Sequence, residues 1–241
     1  MTALLEVAGV SKRFRGLKAV SEVSFAVPQG GIVALIGPNG AGKTTTFNLI
    51  AGVFPPDEGR VMLQGRSITG LRPNQVCAAG IGRTFQIVKP FGDLSVEENV
   101  LVGALARERS VETARRQARA VLERLGLADQ AARPARSLTL PDRKRLEVAR
   151  ALATRPTLLL LDEVLAGLRP TEVDRMAEVL RELNRREGLT ILMIEHVMRA
   201  VMALSDHVVV LDHGEKIAEG TPAGIVADPR VIESYLGAEG I

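Results

Sequence analysis

The sequence predicts an α/β fold: a core with a mostly parallel sheet, an N-terminal antiparallel β subdomain and an inserted helical subdomain. Three observations carry this prediction. A glycine-rich loop joins an apolar strand to a helix near the N-terminus, a middle stretch has helical periodicity, and strands alternate with helices after Pro156. We therefore expect residues 1–241 to form a single domain. Its core would be 1–87 together with 155–241, and the helical subdomain would be 88–154.

Short apolar segments separated by glycine and proline predict the individual elements. In the first third, strands are expected at 4–10, 20–27, 31–36 and 60–63, and a further strand at 81–85 that ends in the polar Gln86. The middle stretch predicts a helix at 111–125, with apolar residues at helical spacing. In the last third, strands are expected at 157–161, 189–194 and 207–211, with helices at 171–187 and 197–204.

A complete phosphate-binding loop follows the strand expected at 31–36. It reads Gly37-Pro38-Asn39-Gly40-Ala41-Gly42-Lys43-Thr44-Thr45. The glycines let the backbone turn successive N–H groups towards phosphate oxygens, and the helix that opens at Lys43 directs its positive end at the same anion. Lys43 can neutralise the β- and γ-phosphates, and the Thr44 hydroxyl can ligate Mg²⁺. This strand–loop–helix context predicts a P-loop NTPase core that binds a nucleoside triphosphate.

Two carboxylates and a histidine follow apolar strands in the last third. Asp162 and Glu163 end the strand of four leucines, and successive side chains of a strand point apart, so the two carboxylates can take separate tasks. Asp162 can hold Mg²⁺ through water, whereas Glu163 can orient and deprotonate an attacking water. His196 ends the next strand, where it can contact the γ-phosphate. His207 and His213 read as structural or surface groups.

Composition excludes several other classes of protein. The net charge is +3, and the basic residues lie on helices without interleaved aromatic residues, so we expect no nucleic-acid binding. No apolar run reaches the ~18 residues that a membrane span needs, and we expect no signal peptide. A single cysteine, Cys77, excludes an internal disulfide and fits a reducing compartment.

In chain order, the phosphate loop, Gln86, the helical insert, the Asp162-Glu163 pair and His196 resemble an ABC-transporter ATP-binding subunit. Within that superfamily the chain is similar, over nearly its whole length, to the paired ATPases of branched-chain amino-acid uptake systems. The segments that carry this closer likeness are 17–20, 83–86, 94–100, 194–196 and 229–237.

The resemblance implies ATP and Mg²⁺ as ligands and assigns further roles. Phe14 would stack on adenine. Gln86 would sense Mg²⁺ and the γ-phosphate and link the site to a membrane subunit. Asp162 would be the acid of the metal site, Glu163 the catalytic base and His196 the switch histidine.

The same resemblance implies an assembly. Two ATPase subunits would hold two nucleotides at their interface, as a heterodimer with a related ATPase or as a homodimer. Two membrane-spanning permease subunits would contact this pair, and a periplasmic solute-binding protein would act indirectly. The chain would lie peripherally on the cytoplasmic face of the inner membrane.

Two departures from the family pattern affect that assembly. Where the family has Leu-Ser-Gly-Gly-Gln before the helix expected at 143–154, this chain has Leu138-Thr139-Leu140-Pro141-Asp142, here named the signature segment. Thr139 keeps a hydroxyl that can reach the nucleotide of the other subunit, but Pro141 has no N–H to donate and Asp142 adds negative charge. We expect this degenerate segment to be impaired. The second departure, Arg169, stands where the superfamily often has Asp in the interfacial loop.

Three alternatives compete with a transport ATPase. A soluble ABC-type ATPase of translation or DNA repair would carry two cassettes or long coiled-coil insertions, and neither is present in this sequence. A P-loop kinase would need an acceptor-binding lid and no histidine at His196. A mainly regulatory subunit would bind ATP with weak hydrolysis, which the intact Glu163 and His196 disfavour.

Overall fold

The computed structural model describes residues 2–236; Gly237, the last residue of the predicted 229–237 likeness, lies outside them. Ten strands are found in this part of the chain. They are β1 (Ala3–Phe14), β2 (Leu17–Pro28), β3 (Ile32–Ile36), β4 (Glu58–Leu63), β5 (Arg66–Ser67), β6 (Ile81–Arg83), β7 (Leu158–Asp162), β8 (Thr190–Ile194), β9 (His207–Asp212) and β10 (Glu215–Gly220).

The strands form two sheets, as the sequence predicts. The first sheet is antiparallel, with the order β2-β1-β4-β5. The second has the order β10-β9-β3-β8-β7-β6 and is parallel except for β10 at its edge. Strands β3, β7 and β8 lie inside it and are buried along their whole length. Buried parallel strands read as continuous apolar runs, which explains the runs in β3 and β7.

Nine α-helices are described within residues 2–236. They are α1 (Lys43–Ile50), α2 (Pro73–Ala79), α3 (Val96–Ala104), α4 (Val111–Arg124), α5 (Leu140–Ala153), α6 (Pro170–Glu187), α7 (Met198–Leu204), α8 (Pro222–Val226) and α9 (Pro229–Leu236). Helices α3, α4 and α5 pack on one another, and their apolar faces join those of α6 and α7 in one core. A second core lies between the antiparallel sheet and the other face of the parallel sheet. No helix in this part of the chain is both long enough and apolar enough to cross a membrane.

Two expected boundaries are wrong. The strand expected at 81–85 ends at Arg83, so Gln86 lies in the loop beyond it. The helix expected to begin at 143 begins at Leu140, because Thr139 caps it and accepts a hydrogen bond from the Asp142 N–H at 3.4 Å. Pro141 is the second helical residue, a position whose N–H has no partner within a helix. The signature segment is therefore mostly the first turn of α5.

Candidate nucleotide site

The phosphate loop connects β3 to α1 at the carboxyl edge of the parallel sheet. Its conformation depends on glycine at two positions. A Cβ on Gly37 would lie 2.0 Å from the Leu211 carbonyl oxygen, and one on Gly42 would lie 2.5 Å from the Ala19 carbonyl oxygen. Gly42 is also the N-cap of α1, with φ of 93°. It has no side chain that could accept hydrogen bonds from the first N–H groups of the helix. The loop is thus held between β9 and β2 with an uncapped helix end facing outwards.

Lys43 lies within this loop and is buried. Its Nζ donates to the carbonyl oxygens of Gly37 at 2.7 Å and Pro38 at 2.8 Å. Burial lowers the pKa of Lys43 from its ordinary value, and the carboxylates of Glu163 and Asp162 oppose that change. The ammonium group of Lys43 is therefore held within the phosphate-binding loop.

Glu163 follows β7 and is bound by both polar residues predicted to act with it. Gln86 Nε2 donates to Glu163 Oε2 at 2.8 Å, and His196 Nε2 lies 2.7 Å from Oε1. Glu163 has φ of 50°, a left-handed conformation that is unfavourable for a residue with a Cβ. The side chains of Asp162 and Glu163 point in different directions because of this left-handed turn just after β7, and not because of the alternation within a strand. The structure thus brings Gln86, Glu163 and His196 together.

Asp162 is buried at the end of β7 beside Arg83. Its Oδ2 accepts from Arg83 Nη2 at 3.3 Å, and Arg83 Nη1 donates to Oδ1 of Asn48 in α1 at 2.7 Å. Burial raises the pKa of Asp162, and Arg83 opposes this increase. Asp162 Oδ1 is buried without a hydrogen-bond partner among the described residues. A carboxylate oxygen left free in this way fits a hydrated Mg²⁺, a cation that prefers oxygen ligands.

A cleft of about 350 Å³ lies between the phosphate loop and the cluster of Gln86, Glu163 and His196. It is lined by Leu17, Lys18, Ala19, Asn39, Gly40, Ala41, Gly42, Lys43, Thr44, Thr45, Gln86, Glu163, His196 and His213. His213, expected to be structural or a surface group, thus lines the cleft, on the exposed turn between β9 and β10. Nothing in the sequence pattern around His213 indicates this position.

Phe14 and Thr139 do not line this cleft. Phe14, expected to stack on adenine, packs edge-on against Phe54, with ring centroids 5.4 Å apart, and the cleft wall nearest in sequence is formed instead by residues 17–19. Thr139 caps α5, and its hydroxyl donates to Asp142 Oδ2 at 2.8 Å. The expected contact of Thr139 with the nucleotide of the other subunit stays a prediction; within this chain its hydroxyl is bound to Asp142.

Sequence reasoning missed three charged residues that contact the site. Arg83 binds Asp162, Lys144 donates to the Glu163 carbonyl oxygen at 2.7 Å, and Glu195 accepts from the Leu165 N–H at 2.9 Å. The available signal is a charged residue inside or next to an apolar run, as at Arg83 and Glu195, since such a residue is buried only with a partner.

Comparison with known proteins identifies the family. The family model described as ABC transporter matches residues 20–166, and the model described as branched-chain amino acid ATP-binding cassette transporter matches residues 215–241. The first match spans the phosphate loop, Gln86 and the Asp162-Glu163 pair. The second covers β10 and the helices after it.

Relatives match along nearly the whole chain. The high-affinity branched-chain amino acid transport ATP-binding protein LivG of Salmonella typhimurium is 43% identical over 97% of this chain and 98% of its own. Its counterpart BraF of Pseudomonas aeruginosa is 40% identical over the same shares. The crystal structure of the ADP conformation of an ATP-binding cassette of an ABC transporter superposes with a TM-score of 0.90 at 33% identity. This superposition covers 98% of this chain and 100% of that one.

These matches agree with the geometry. A phosphate loop faces Glu163 and His196 across one cleft, on a fold shared with solved ATP-binding cassettes. Such a subunit binds ATP and hydrolyses it to drive transport. The chain belongs to the family of ATP-binding subunits of ABC transporters.

Proposed function

We propose that this subunit energises the uptake of branched-chain amino acids, and that Glu163 is the base of its ATPase reaction. The observation that carries the second part is the position of the Glu163 carboxylate, bound by Gln86 on one oxygen and adjacent to His196 on the other. The solute class is supported by the relatives and by the match at the C-terminal segment.

The residues divide the reaction between them. Lys43 and the loop N–H groups of residues 37–45 would bind the β- and γ-phosphates and neutralise their charge. Glu163 would accept a proton from the attacking water as the bond between the γ-phosphorus and the bridging oxygen breaks. His196 would orient Glu163 and contact the γ-phosphate. Thr44, Gln86 and Asp162 would hold Mg²⁺, which neutralises charge on the transferring phosphoryl group when it is bound.

The assembly we propose is a head-to-tail pair of ATPases against two permease subunits, at the cytoplasmic face of the inner membrane. A periplasmic solute-binding protein would deliver the solute. We propose a heterodimer with a related ATPase, because α5 here has Pro141 as its second residue and its N-cap, Thr139, is bound to Asp142 of the same helix. The phosphate loop of this chain would face an intact signature of its partner, whereas the partner's nucleotide would face Thr139 across the interface. The site containing Glu163 would therefore dominate turnover.

The proposal extends to the helical subdomain, with the bounds expected from the sequence. We propose that 88–154 moves as a subdomain relative to 1–87 and 155–241. The exposed apolar residues on either side of Gln86 and at the start of this stretch would contact the permease; they are Phe85, Ile87 and Phe91.

The test is Glu163→Gln in the transporter assembled in liposomes. We expect ATP turnover and amino-acid uptake to fall at least about 100-fold, because general-base catalysis typically contributes 10²–10⁴. ATP binding should persist. Glu182→Gln, an exposed carboxylate on α6, is the matched control. Turnover that survives Glu163→Gln but is lost when the partner's equivalent is mutated would overturn the assignment.

A second arm tests the solute. Uptake of radiolabelled leucine, isoleucine and valine is compared with that of a charged amino acid in the same liposomes. We expect only the branched-chain solutes to accumulate and to stimulate turnover. Stimulation by the charged solute alone would reject the solute class while leaving Glu163 in place.

A further inference from the structure

The turn formed by residues 163–165 is held in an unfavourable conformation. Glu163 has φ of 50°, and a residue with a Cβ adopts this left-handed region only when its surroundings impose it. The direction of the Glu163 carboxylate depends on this backbone. Whatever holds the 163–165 turn therefore sets where the proposed base points.

Four hydrogen bonds hold the turn, and two of them involve charged side chains. One is local, from the Ala166 N–H to the Glu163 carbonyl oxygen at 3.3 Å. The Glu163 N–H donates to the Ile194 carbonyl oxygen at 3.0 Å. Lys144 Nζ donates to the Glu163 carbonyl oxygen at 2.7 Å. The Leu165 N–H donates to Glu195 Oε1 at 2.9 Å. Lys144 comes from α5 and Glu195 from the end of β8, so the turn is held from two elements.

Both charged side chains lie away from water. Lys144 is 5% exposed and Glu195 is 1% exposed, and neither lines the nucleotide cleft. Burial raises the pKa of Glu195 to about 7 and lowers that of Lys144, and each charge opposes the change in the other. Glu195 Oε2 has no hydrogen-bond partner within residues 2–236. Buried charges of this kind are retained only where they compensate each other or hold another group.

We propose that Lys144 and Glu195 act as a pair of positioning residues that fixes the 163–165 turn and so holds Glu163 between Gln86 and His196. This inference rests on the proposed role of Glu163. It assigns a role to two buried charged residues that take no direct part in the nucleotide chemistry. It also connects α5, whose first turn is the signature segment, to the proposed base of the same subunit.

The experiment compares Lys144→Met, Glu195→Gln and the double variant in the assembled transporter. Turnover is measured per bound nucleotide, together with KM for ATP. We expect Lys144→Met to lower kcat about tenfold, since a hydrogen bond from a charged group to Glu163 is lost. KM should stay nearly unchanged because the phosphate loop is untouched. Glu195→Gln keeps an acceptor for Leu165 and should lower kcat less.

The double variant tests the pairing. Lys144→Met leaves the buried Glu195 without its counter-charge, and Glu195→Gln removes that charge. The combined loss in kcat should therefore be smaller than the product of the two single losses. A purely structural role would lower the number of nucleotide-binding sites and leave kcat per site unchanged, which would overturn the proposal. Fully multiplicative losses would overturn the pairing.

Two further measurements keep the result decisive. If a single variant does not fold, the double variant replaces it, because it contains neither buried charge. Its kcat per site should then be below the unsubstituted value, and equality would reject the inference. Glu163→Gln is measured in the same preparation. If Glu163→Gln retains turnover, the proposed function fails; if it abolishes turnover while Lys144→Met leaves kcat per site intact, only this inference fails.

Discussion

Helix α1 begins at Lys43 behind Gly42, whereas helix α5 begins at Leu140 behind Thr139. The first end has no side-chain cap and no acidic residue in its first turn. The second has a threonine cap, a proline at its second position and Asp142, whose carboxylate accepts from the cap hydroxyl. A helix end binds an anion only if its N–H groups are free of internal acceptors. The two ends therefore differ in whether they accept phosphate, although both are helix N-termini.

The comparison separates local stability from function. The Thr139 hydroxyl supplies a side-chain acceptor for a backbone N–H of α5, which α1 lacks, so α5 is stabilised by its own sequence. The end of α1 remains without a cap and gains its acceptor only when an anion binds. In the proposed dimer both ends would face phosphate, but only α1 is built to receive it.

The largest expected effect concerns the uncapped N-terminus of α1. Lys43→Ala removes a cation that would bind the β- and γ-phosphates, so the Kd for ATP should rise about 10- to 100-fold. Titration with a fluorescent ATP analogue measures it in the assembled transporter. Arg186→Ala, an exposed cation on α6, is the control and should leave Kd unchanged. An unaltered Kd for Lys43→Ala would show that the loop N–H groups alone bind the phosphates.

The second prediction concerns substitutions that remove the proline and the acidic residue from the N-terminal turn of α5. The triple variant Leu140→Gly, Pro141→Gly and Asp142→Gln restores N–H donors and removes a negative charge. It is combined with Glu163→Gln, so that only the nucleotide site facing α5 can turn over. We expect turnover at that site to rise about tenfold, the effect of one hydrogen bond to a charged group. Pro141→Ala alone separates the donor from the glycine flexibility. Unchanged turnover in both variants would mean that α5 does not limit that site.

A smaller effect distinguishes a cap from a ligand. Thr139→Ala should destabilise the subunit by about 1 kcal/mol, the usual contribution of an N-cap, and should change total turnover less than about twofold. Ser95→Ala is the matched control, because Ser95 caps α3 in the same way and accepts from Glu98 N–H at 3.1 Å. Thermal unfolding gives the first quantity and ATPase assays the second. A tenfold loss of turnover for Thr139→Ala alone would make its hydroxyl a phosphate ligand.

The smallest effect is electrostatic and concerns the cap of α3. Hydrogen bonds from the Ser95 N–H and hydroxyl lower the pKa of Glu98 below its ordinary value of 4.5. A carboxylate with a lowered pKa stabilises the folded state above its unfolded pKa, and this contribution disappears as pH falls through the folded pKa. Denaturant titrations of the unsubstituted chain and Glu98→Gln should therefore differ at pH 7, and the difference should shrink as pH falls below 4.5 and disappear once pH is below the lowered pKa of Glu98. A difference that persists at low pH would contradict this origin.

The sequence could predict the elements whose side chains alone decide them. The strands β3, β7 and β8 are continuous apolar runs, and the glycine-rich loop needs no tertiary information. Strand β10 was missed because Glu215–Gly220 is half-exposed at a sheet edge and has charged ends rather than a clear alternation. The start of α5 lies three residues before the expected 143, because the segment in the place of the family signature continues into the helix behind its Thr139 cap.

The contacts within the site were less accessible from the sequence. Lys144 and Glu195 reach the same turn only because β7 and β8 are neighbours and α5 packs against β7. Neither residue is marked by a motif that would predict its role. Similarly, the packing of Phe14 against Phe54 depends on the loop after α1, which the pattern of β1 does not describe.

The two hydrogen bonds from Lys43 to Gly37 and Pro38 have a consequence for recognition. The ammonium group is held on its own loop by two of its three N–H donors. One N–H therefore remains for a phosphate oxygen, and little rotamer entropy of the lysine remains to be lost on binding. Lys43 would then bring its full positive charge but a single hydrogen bond to the nucleotide, so most of the hydrogen bonds to phosphate would come from the backbone of the loop.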